Sequence, residues 1–330
     1  MNKTAIQALL AVTAAWAAAA AGAAAQAPRE AEFPTKPVRM IVPFTPGSAT
    51  DIIARIVATK LSEKWGRQIV IDNRPGAGGI VAFKMVAEAV PDGYTLTTTG
   101  SNFSGSAALY AGKLPFDPVK DFAGISQLAS TPLSLVVAPN LGVKSVKDLI
   151  ALVKAKPGAI NYGSTGLGSG PHYGAELFNL TAGIKAVHVP YKGTPEVLND
   201  ITAGRMHYFL SPVLAAAPLV QGGRLIALGV TTKQRSPSLP EVPSISEVGL
   251  PEFEYQGWYG MFAPGKASRS LINFLNREVA GVIDLPEIQQ RIVGLGAAAK
   301  RSTPEEFDKL AREEITTRTK VWAAAGVKVD

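Results

Sequence analysis

The residues with most chemical potential are few. The chain holds three histidines, His172, His188 and His207, and no cysteine. The absence of cysteine removes disulfides, thiolate metal sites and cysteine nucleophiles. No histidine pairs at i, i+4 with another histidine or with a helical carboxylate, so no metal pattern is present. Ser169 and His172 can be written as a nucleophile and its base, but the stretch offers neither an orienting acid nor an oxyanion hole. No G-x-S-x-G elbow occurs. Two glycine-rich stretches fail the dinucleotide fingerprint: Gly76–Val81 ends in Val and Gly166–Pro171 ends in Pro where the third glycine belongs. Gly112-Lys113 and Gly265-Lys266 lack the Ser or Thr of a phosphate loop. No catalytic residue, cofactor or metal is expected.

Three other stretches suit the binding of an anion. Pro43-Phe44-Thr45-Pro46-Gly47-Ser48-Ala49-Thr50-Asp51 lies between an apolar run and helical spacing. Its backbone N–H groups then lie at a helix start, where partial positive charge gathers. Ser48 and Thr50 either cap that helix or donate to a ligand. Asp51 would repel an anion and is assigned to the first helical turn. Tyr162-Gly163-Ser164-Thr165-Gly166-Leu167-Gly168-Ser169-Gly170 combines four glycines that admit close approach with three hydroxyls; a plain turn has the same composition. His188–Thr194 carries Tyr191, which could stack on a ligand or bond to it, and Lys192, which could pair with a carboxylate or point into water. Hydrogen bonds to a charged group contribute roughly 1.5–3 kcal/mol each. Three or four in a closed cleft support micromolar affinity without an arginine clamp.

Loops of this kind need rigid elements on either side. Short apolar runs at 38–42, 69–71, 94–99, 133–138, 159–162, 186–189, 206–210 and 225–230 read as strands. Helical spacing fills 51–64, 80–90, 146–154, 173–180, 196–203 and 215–221, and then 270–283, 287–295 and 304–321. Thr303 and Pro304 suit a helix start. The alternation predicts an α/β protein with parallel sheets, whose ligands bind beyond the carboxyl ends of strands.

A chain of 330 residues with 47% hydrophobic and 18% charged residues is globular and long enough for two domains. Residues 1–25 place one Lys before a long apolar run that ends in Ala-x-Ala sites, the layout of a signal peptide. The net charge of +7 is scattered, with Lys300-Arg301 as the longest basic cluster and no basic-aromatic strip. Nucleic acid is therefore not an expected partner, and the charge is a long-range bias toward anionic small molecules. The acidic pairs Glu305-Glu306 and Glu313-Glu314 read as a solvated helix face.

Many short motifs in order carry a resemblance. They include Pro34-Thr35-Lys36-Pro37-Val38-Arg39, Val42-Pro43-Phe44, Asp72-Asn73-Arg74-Pro75-Gly76-Ala77-Gly78-Gly79, Pro91-Asp92-Gly93-Tyr94-Thr95-Leu96 and Leu114-Pro115-Phe116-Asp117-Pro118. Asn161-Tyr162-Gly163-Ser164, Val189-Pro190-Tyr191-Lys192-Gly193 and Leu239-Pro240-Glu241-Val242-Pro243 continue them. From about Phe33 onward the chain resembles the Bug family, the extracytoplasmic substrate-binding proteins of tripartite tricarboxylate transporters. The resemblance implies a two-lobed α/β fold of the periplasmic-binding-protein type (type II) with two chain crossovers. Lobe one would combine 28–130 with 231–330, and lobe two would span 131–230. It implies a periplasmic monomer without a lipid anchor. That monomer captures a di- or tricarboxylate, an acidic amino acid or an aromatic carboxylate for the transporter's membrane subunits. A sensor with the same binding step, and a Ser169/His172 hydrolase, are the competing readings. By resemblance, Phe44 to Thr50 and Ser164 to Ser169 hold carboxylate oxygens. Ser101, Asn102, Gly163, His172, Tyr191 and Ser211 complete the expected set. The family's first loop usually has two adjacent glycines; here the pair is Gly47-Ser48.

Overall fold

The structure, a computed structural model, describes residues 33–329, so the expected signal peptide lies outside the described residues. Among the described residues, ten strands and ten α-helices alternate along most of the sequence. The first part runs β1 (Val38–Val42), α1 (Ala49–Trp65), β2 (Ile69–Asn73), α2 (Ile80–Ala87), β3 (Thr95–Gly100) and α3 (Asn102–Leu109). A 16-residue strand, β4 (Phe122–Val137), leads to α4 (Val146–Ala155), β5 (Asn161–Ser164), α5 (Gly170–Ala182) and β6 (Val187–Pro190). Then come α6 (Thr194–Thr202), β7 (Tyr208–Pro212), α7 (Val213–Gln221) and β8 (Ile226–Val230). The chain ends with β9 (Gln256–Pro264), α8 (Arg269–Ile283), α9 (Pro286–Gly294), β10 (Ala298–Ala299) and α10 (Pro304–Ala325).

The sheets are mixed rather than parallel. β1 pairs in parallel with β2 and β3, and β5 with β6 and β7. Between these parallel groups run two long antiparallel strands, β4 and β9. Residues 122–132 of β4 pair with β9 in a first sheet, and residues 133–137 pair with β7 and β8 in a second. One strand thus belongs to both layers. The chain returns beside it: Thr231 N–H donates to Leu133 O at 2.9 Å, and Leu133 N–H to Thr231 Oγ1 at 2.9 Å. Tyr255 N–H donates to Thr231 O at 2.8 Å. These bonds tie the two crossings together at one level.

Each layer has its own core. Phe83, Phe103, Phe122, Phe262 and Phe307 are buried beside Trp258 against the first sheet, with Phe103 stacked on Phe262 at 4.5 Å. Burying a phenylalanine contributes about 1.5–3 kcal/mol. Tyr162, Phe178, Tyr208, Leu210 and Phe253 fill the second. α10 starts with a capping box between Thr303 and Glu306 and packs on both α3 and α5. Near its end, Trp322 Nε1 donates to Gly105 O (3.2 Å), and its ring lies 4.8 Å from that of His172. Among the described residues no helix is long and apolar enough to cross a membrane.

Candidate ligand-binding site

A cavity of about 40 Å³ sits between the two layers. It has room for a few water-sized groups. From the first layer come Phe44, Ser48, Ala49, Thr50, Gly100, Ser101 and Asn102; from the second, Thr165, Gly170, Pro171, Thr194 and Pro212. Thr131, Leu133, Tyr255, Gly257, Trp258 and Tyr259 of the crossing region close it. None of the described lining residues is Asp, Glu, Lys or Arg.

What replaces a formal cation is helix geometry. Helices α1, α3, α5, α6 and α7 all begin on the cavity wall. Each start carries up to about half a positive charge. In α1 the Ser48 hydroxyl caps the Asp51 N–H, and in α5 Ser169 caps the His172 N–H at 3.2 Å. The N–H groups of Ala49, Thr50 and Gly170, which precede the capped positions, have no intrahelical partner. With the hydroxyls of Thr50, Ser101, Thr165 and Thr194 they line the wall with neutral hydrogen-bond donors.

The first loop explains why Ser48 can stand where a second glycine is usual. Gly47 alone takes a left-handed φ of +79°, whereas Ser48 has φ −66° and ψ 157°, the ordinary geometry of a helix cap. The loop is held from behind by Asp51. Its Oδ2 accepts from Gly47 N–H (2.9 Å) and Arg55 Nε (2.8 Å), and its Oδ1 accepts from Asn73 Nδ2 (2.9 Å). Burial alone would raise this carboxyl's pKa; the bonds from Arg55, Gly47 and Asn73 outweigh it and keep the pKa below the usual value. Asp51 therefore shapes the loop and does not line the cavity.

The remaining expected residues are placed around the cavity, not on its wall. Pro46 and Gly47 are exposed. Thr45 Oγ1 donates to Glu196 Oε2 of α6 at 3.1 Å, joining the two layers. Gly163 packs on Val197, and Ser211 is buried in β7 with its hydroxyl on Pro212 O. Gly168 lies against the Ser106 backbone of α3. Tyr191 donates to Asp200 Oδ2 at 2.6 Å and lines a separate outer hollow of about 250 Å³ with Lys192. That hollow shares only Phe44 and Thr165 with the inner cavity. Sequence reasoning missed Gly100, Thr131, Leu133, Pro171, Pro212, Tyr255, Gly257, Trp258 and Tyr259. Thr194, in the third stretch, lines the cavity as the residue that opens α6.

Ser164, Ser169 and His172 form a support beneath the wall. His172 Nδ1 accepts from Gly168 N–H (3.1 Å), and its ring lies face to face with His188 at 3.9 Å. His188 Nε2 shares a hydrogen bond with Ser164 Oγ at 2.6 Å. Ser169 Oγ is occupied as a cap, so no Ser–His nucleophile is assembled. Burial, and then the neighbouring His188, hold His172 well below the imidazole range; burial brings His188 down to about 4. Both rings are therefore neutral in the folded chain at pH 7. An unfolded histidine takes its proton near pH 6.5. Stability should be full above that pH and fall as pH drops from 6.5 toward 4, by up to about 1.4 kcal/mol per pH unit per histidine. Urea unfolding at pH 7 and pH 5 measures this; equal stability at both would show the pair to be solvated.

Two α/β layers joined by two crossings, with an uncharged, donor-lined cavity at the junction, define a two-lobed solute-binding protein of the periplasmic-binding-protein fold. Residues 53–327 match the family described as "Tripartite tricarboxylate transporter family receptor". The chain belongs to that family, which is one of substrate-binding receptors and not of enzymes. It is 32% identical over 335 residues to the protein BugT of Bordetella pertussis, covering all of both chains. Among solved structures, R. palustris Rpa4515 with adipate is 34% identical with a TM-score of 0.86, covering 90% of this chain and 99% of that one. MatC from Rhodopseudomonas palustris with bound malate is 30% identical with a TM-score of 0.83, covering 88% of this chain and 99% of the other.

Proposed function

We propose that this chain is a periplasmic receptor that captures a small organic carboxylate in the cavity and delivers it to the membrane subunits of a tripartite tricarboxylate-type transporter. One observation carries the reading: five helix starts and a ring of hydroxyls meet around a cavity with no charged lining residue. An anion is stabilised there by oriented dipoles and hydrogen bonds, each bond worth roughly 1.5–3 kcal/mol. A cationic or purely apolar solute gains nothing from such a wall. The relatives solved with adipate and with malate support a carboxylate.

In this reading lobe one comprises 28–130 and 231–330, lobe two comprises 131–230, and the paired crossings at Leu133, Thr231 and Tyr255 are the hinge. Residues 1–25 direct export and are removed, no lipid anchor is added, and the receptor acts as a monomer. Calorimetry of protein freed of carried-over ligand tests the binding step, using adipate, malate and hexanoate with a neutral amide as control. A dissociation constant on the order of micromolar, about 8 kcal/mol, is expected for at least one carboxylate and no heat for the amide. Silence across the acids would sink the reading. Delivery is tested separately, by loss of growth on the bound acid when either the receptor or the membrane subunits are deleted.

A further inference from the structure

Among the described residues, three buried side-chain polar atoms have no hydrogen-bond partner: Ser236 Oγ, Tyr255 Oη and Arg318 Nη1. Only Tyr255 of these residues lines the cavity. Its side chain is 6% exposed, and its backbone is fixed on both sides, N–H to Thr231 O and C=O to Thr231 Oγ1 (2.7 Å). The hydroxyl is therefore held in place without a partner of its own. A buried hydroxyl left unpaired is destabilising, and native structures keep few of them.

Its surroundings set what it can do. A methyl group at Gly170 would lie 2.8 Å from Tyr255 Oη; one at Gly257 would lie 3.6 Å from Oη and 3.8 Å from Ser101 Oγ. The hydroxyl thus sits beside the start of α5 and next to Ser101, at the crossing end of the cavity. Ser101 Oγ already accepts from Trp258 N–H at 2.9 Å, which leaves its own proton to donate. Behind the tyrosine lies Arg318, 2% exposed, its guanidinium 5.6 Å from the Tyr255 ring and paired with Glu314 at 3.0 Å. No hydrogen bond of ordinary geometry joins Arg318 to Tyr255 Oη. The Tyr255 hydroxyl has no partner within the described chain, so its proton is free to donate to a ligand in the cavity. The crossing end therefore presents Tyr255, Ser101 and Gly170 as donors, while Thr50 and Thr194 supply donors from the starts of α1 and α6.

We propose that Tyr255 is a specificity-determining residue whose hydroxyl donates to a second acceptor group on the ligand, so that the receptor selects acids carrying a further carboxylate, carbonyl or hydroxyl oxygen over simple monocarboxylates. This rests on the carboxylate-binding reading and adds the second group to it.

The test is Tyr255→Phe, which removes one oxygen and leaves the ring. Affinities are measured for matched pairs, succinate with butyrate and adipate with hexanoate, and for malate. The wild type should prefer the acid with the second oxygen-bearing group. The variant should lose about tenfold or more for that acid and change little for its monocarboxylate partner. Unliganded Tyr255→Phe should unfold at or above the wild-type temperature, because a buried unpaired hydroxyl has been removed. Equal losses for both members of a pair, a wild type without preference, or a fall of more than about 3 °C in the unliganded variant would each overturn the proposal. A wild type that binds no acid at all would instead remove the carboxylate reading on which it stands.

Discussion

Gly78→Ala should cost this receptor about ten- to a hundredfold in ligand affinity while leaving its fold in place. Gly78 lies in the turn that precedes α2, with φ +64°, and its carbonyl accepts from Asn102 Nδ2 (3.1 Å) and Ser106 Oγ (3.0 Å) of α3. The turn is thus locked to the first layer. Beside the outer hollow it meets the glycine loop directly: a Cβ on Gly78 would lie 1.9 Å from Leu167 O. No rotamer relieves that contact, because both partners are main chain. One side must withdraw, and overpacking of this kind costs about 1–3 kcal/mol. The contact spans the two proposed lobes, so withdrawal means a cleft that cannot shut. Alanine at a left-handed position carries its own strain of about 1 kcal/mol, and Gly183→Ala controls for it: Gly183 has φ +62° and nothing within 4 Å. Gly183→Ala should therefore lose stability and keep affinity, whereas Gly78→Ala should lose affinity as well. Small-angle scattering should show ligand-induced compaction in the wild type and in Gly183→Ala, but not in Gly78→Ala. Wild-type affinity in Gly78→Ala would mean that turn and loop are apart in the bound state.

The same turn shows how far the sequence could be read. Gly76 to Gly79 fails the dinucleotide fingerprint, and only the fold reveals its close approach to the glycine loop. The first loop was legible because its parts are consecutive: an apolar run, then Pro, Gly and Ser, then helical spacing, with Ser48 at the cap. Thr165 was legible for the same reason. β9 was not, since Gln256–Pro264 is buried along almost its whole length and interrupted by glycines, so no alternation marks it. The first half of β4 escaped likewise, its small and polar residues 122–132 being covered on both faces. These are the strands that cross between layers, and missing them made the sheets look parallel. α3 escaped because seven of its eight residues are buried, leaving no polar face to set a period. Tyr255 belongs to no local pattern; its role exists only once β9, α5 and α10 converge.

Glu314 was read as part of a solvated face, and the largest stability effect is expected where that reading fails. Glu314 accepts from Arg318 Nη2 (3.0 Å) and from Trp258 Nε1 (2.8 Å), and Trp258 lines the cavity. Arg318 also lies over the Tyr173 ring at 4.3 Å. Burial alone would lower the guanidinium's pKa, but the Glu314 carboxylate beside it outweighs this, so the group stays charged. Arg318→Met keeps most of the volume and strands Glu314 beside an apolar neighbour. Glu314 is 19% exposed and keeps its bond from Trp258, so losing Arg318 costs about 3 kcal/mol, the lower end for a buried pair, which in a chain of this size lowers the unfolding temperature by roughly 6–9 °C. Most of that cost is the uncompensated charge, so Arg318→Met with Glu314→Gln should recover more than half of it; the amide oxygen still accepts from Trp258. A thermal double-mutant cycle reads the coupling directly. Additive losses would show that Arg318 and Glu314 act independently. Recovery of stability with tenfold or greater loss of binding would place the pair's value in the cavity, where it sets the field behind Tyr255 and the position of Trp258.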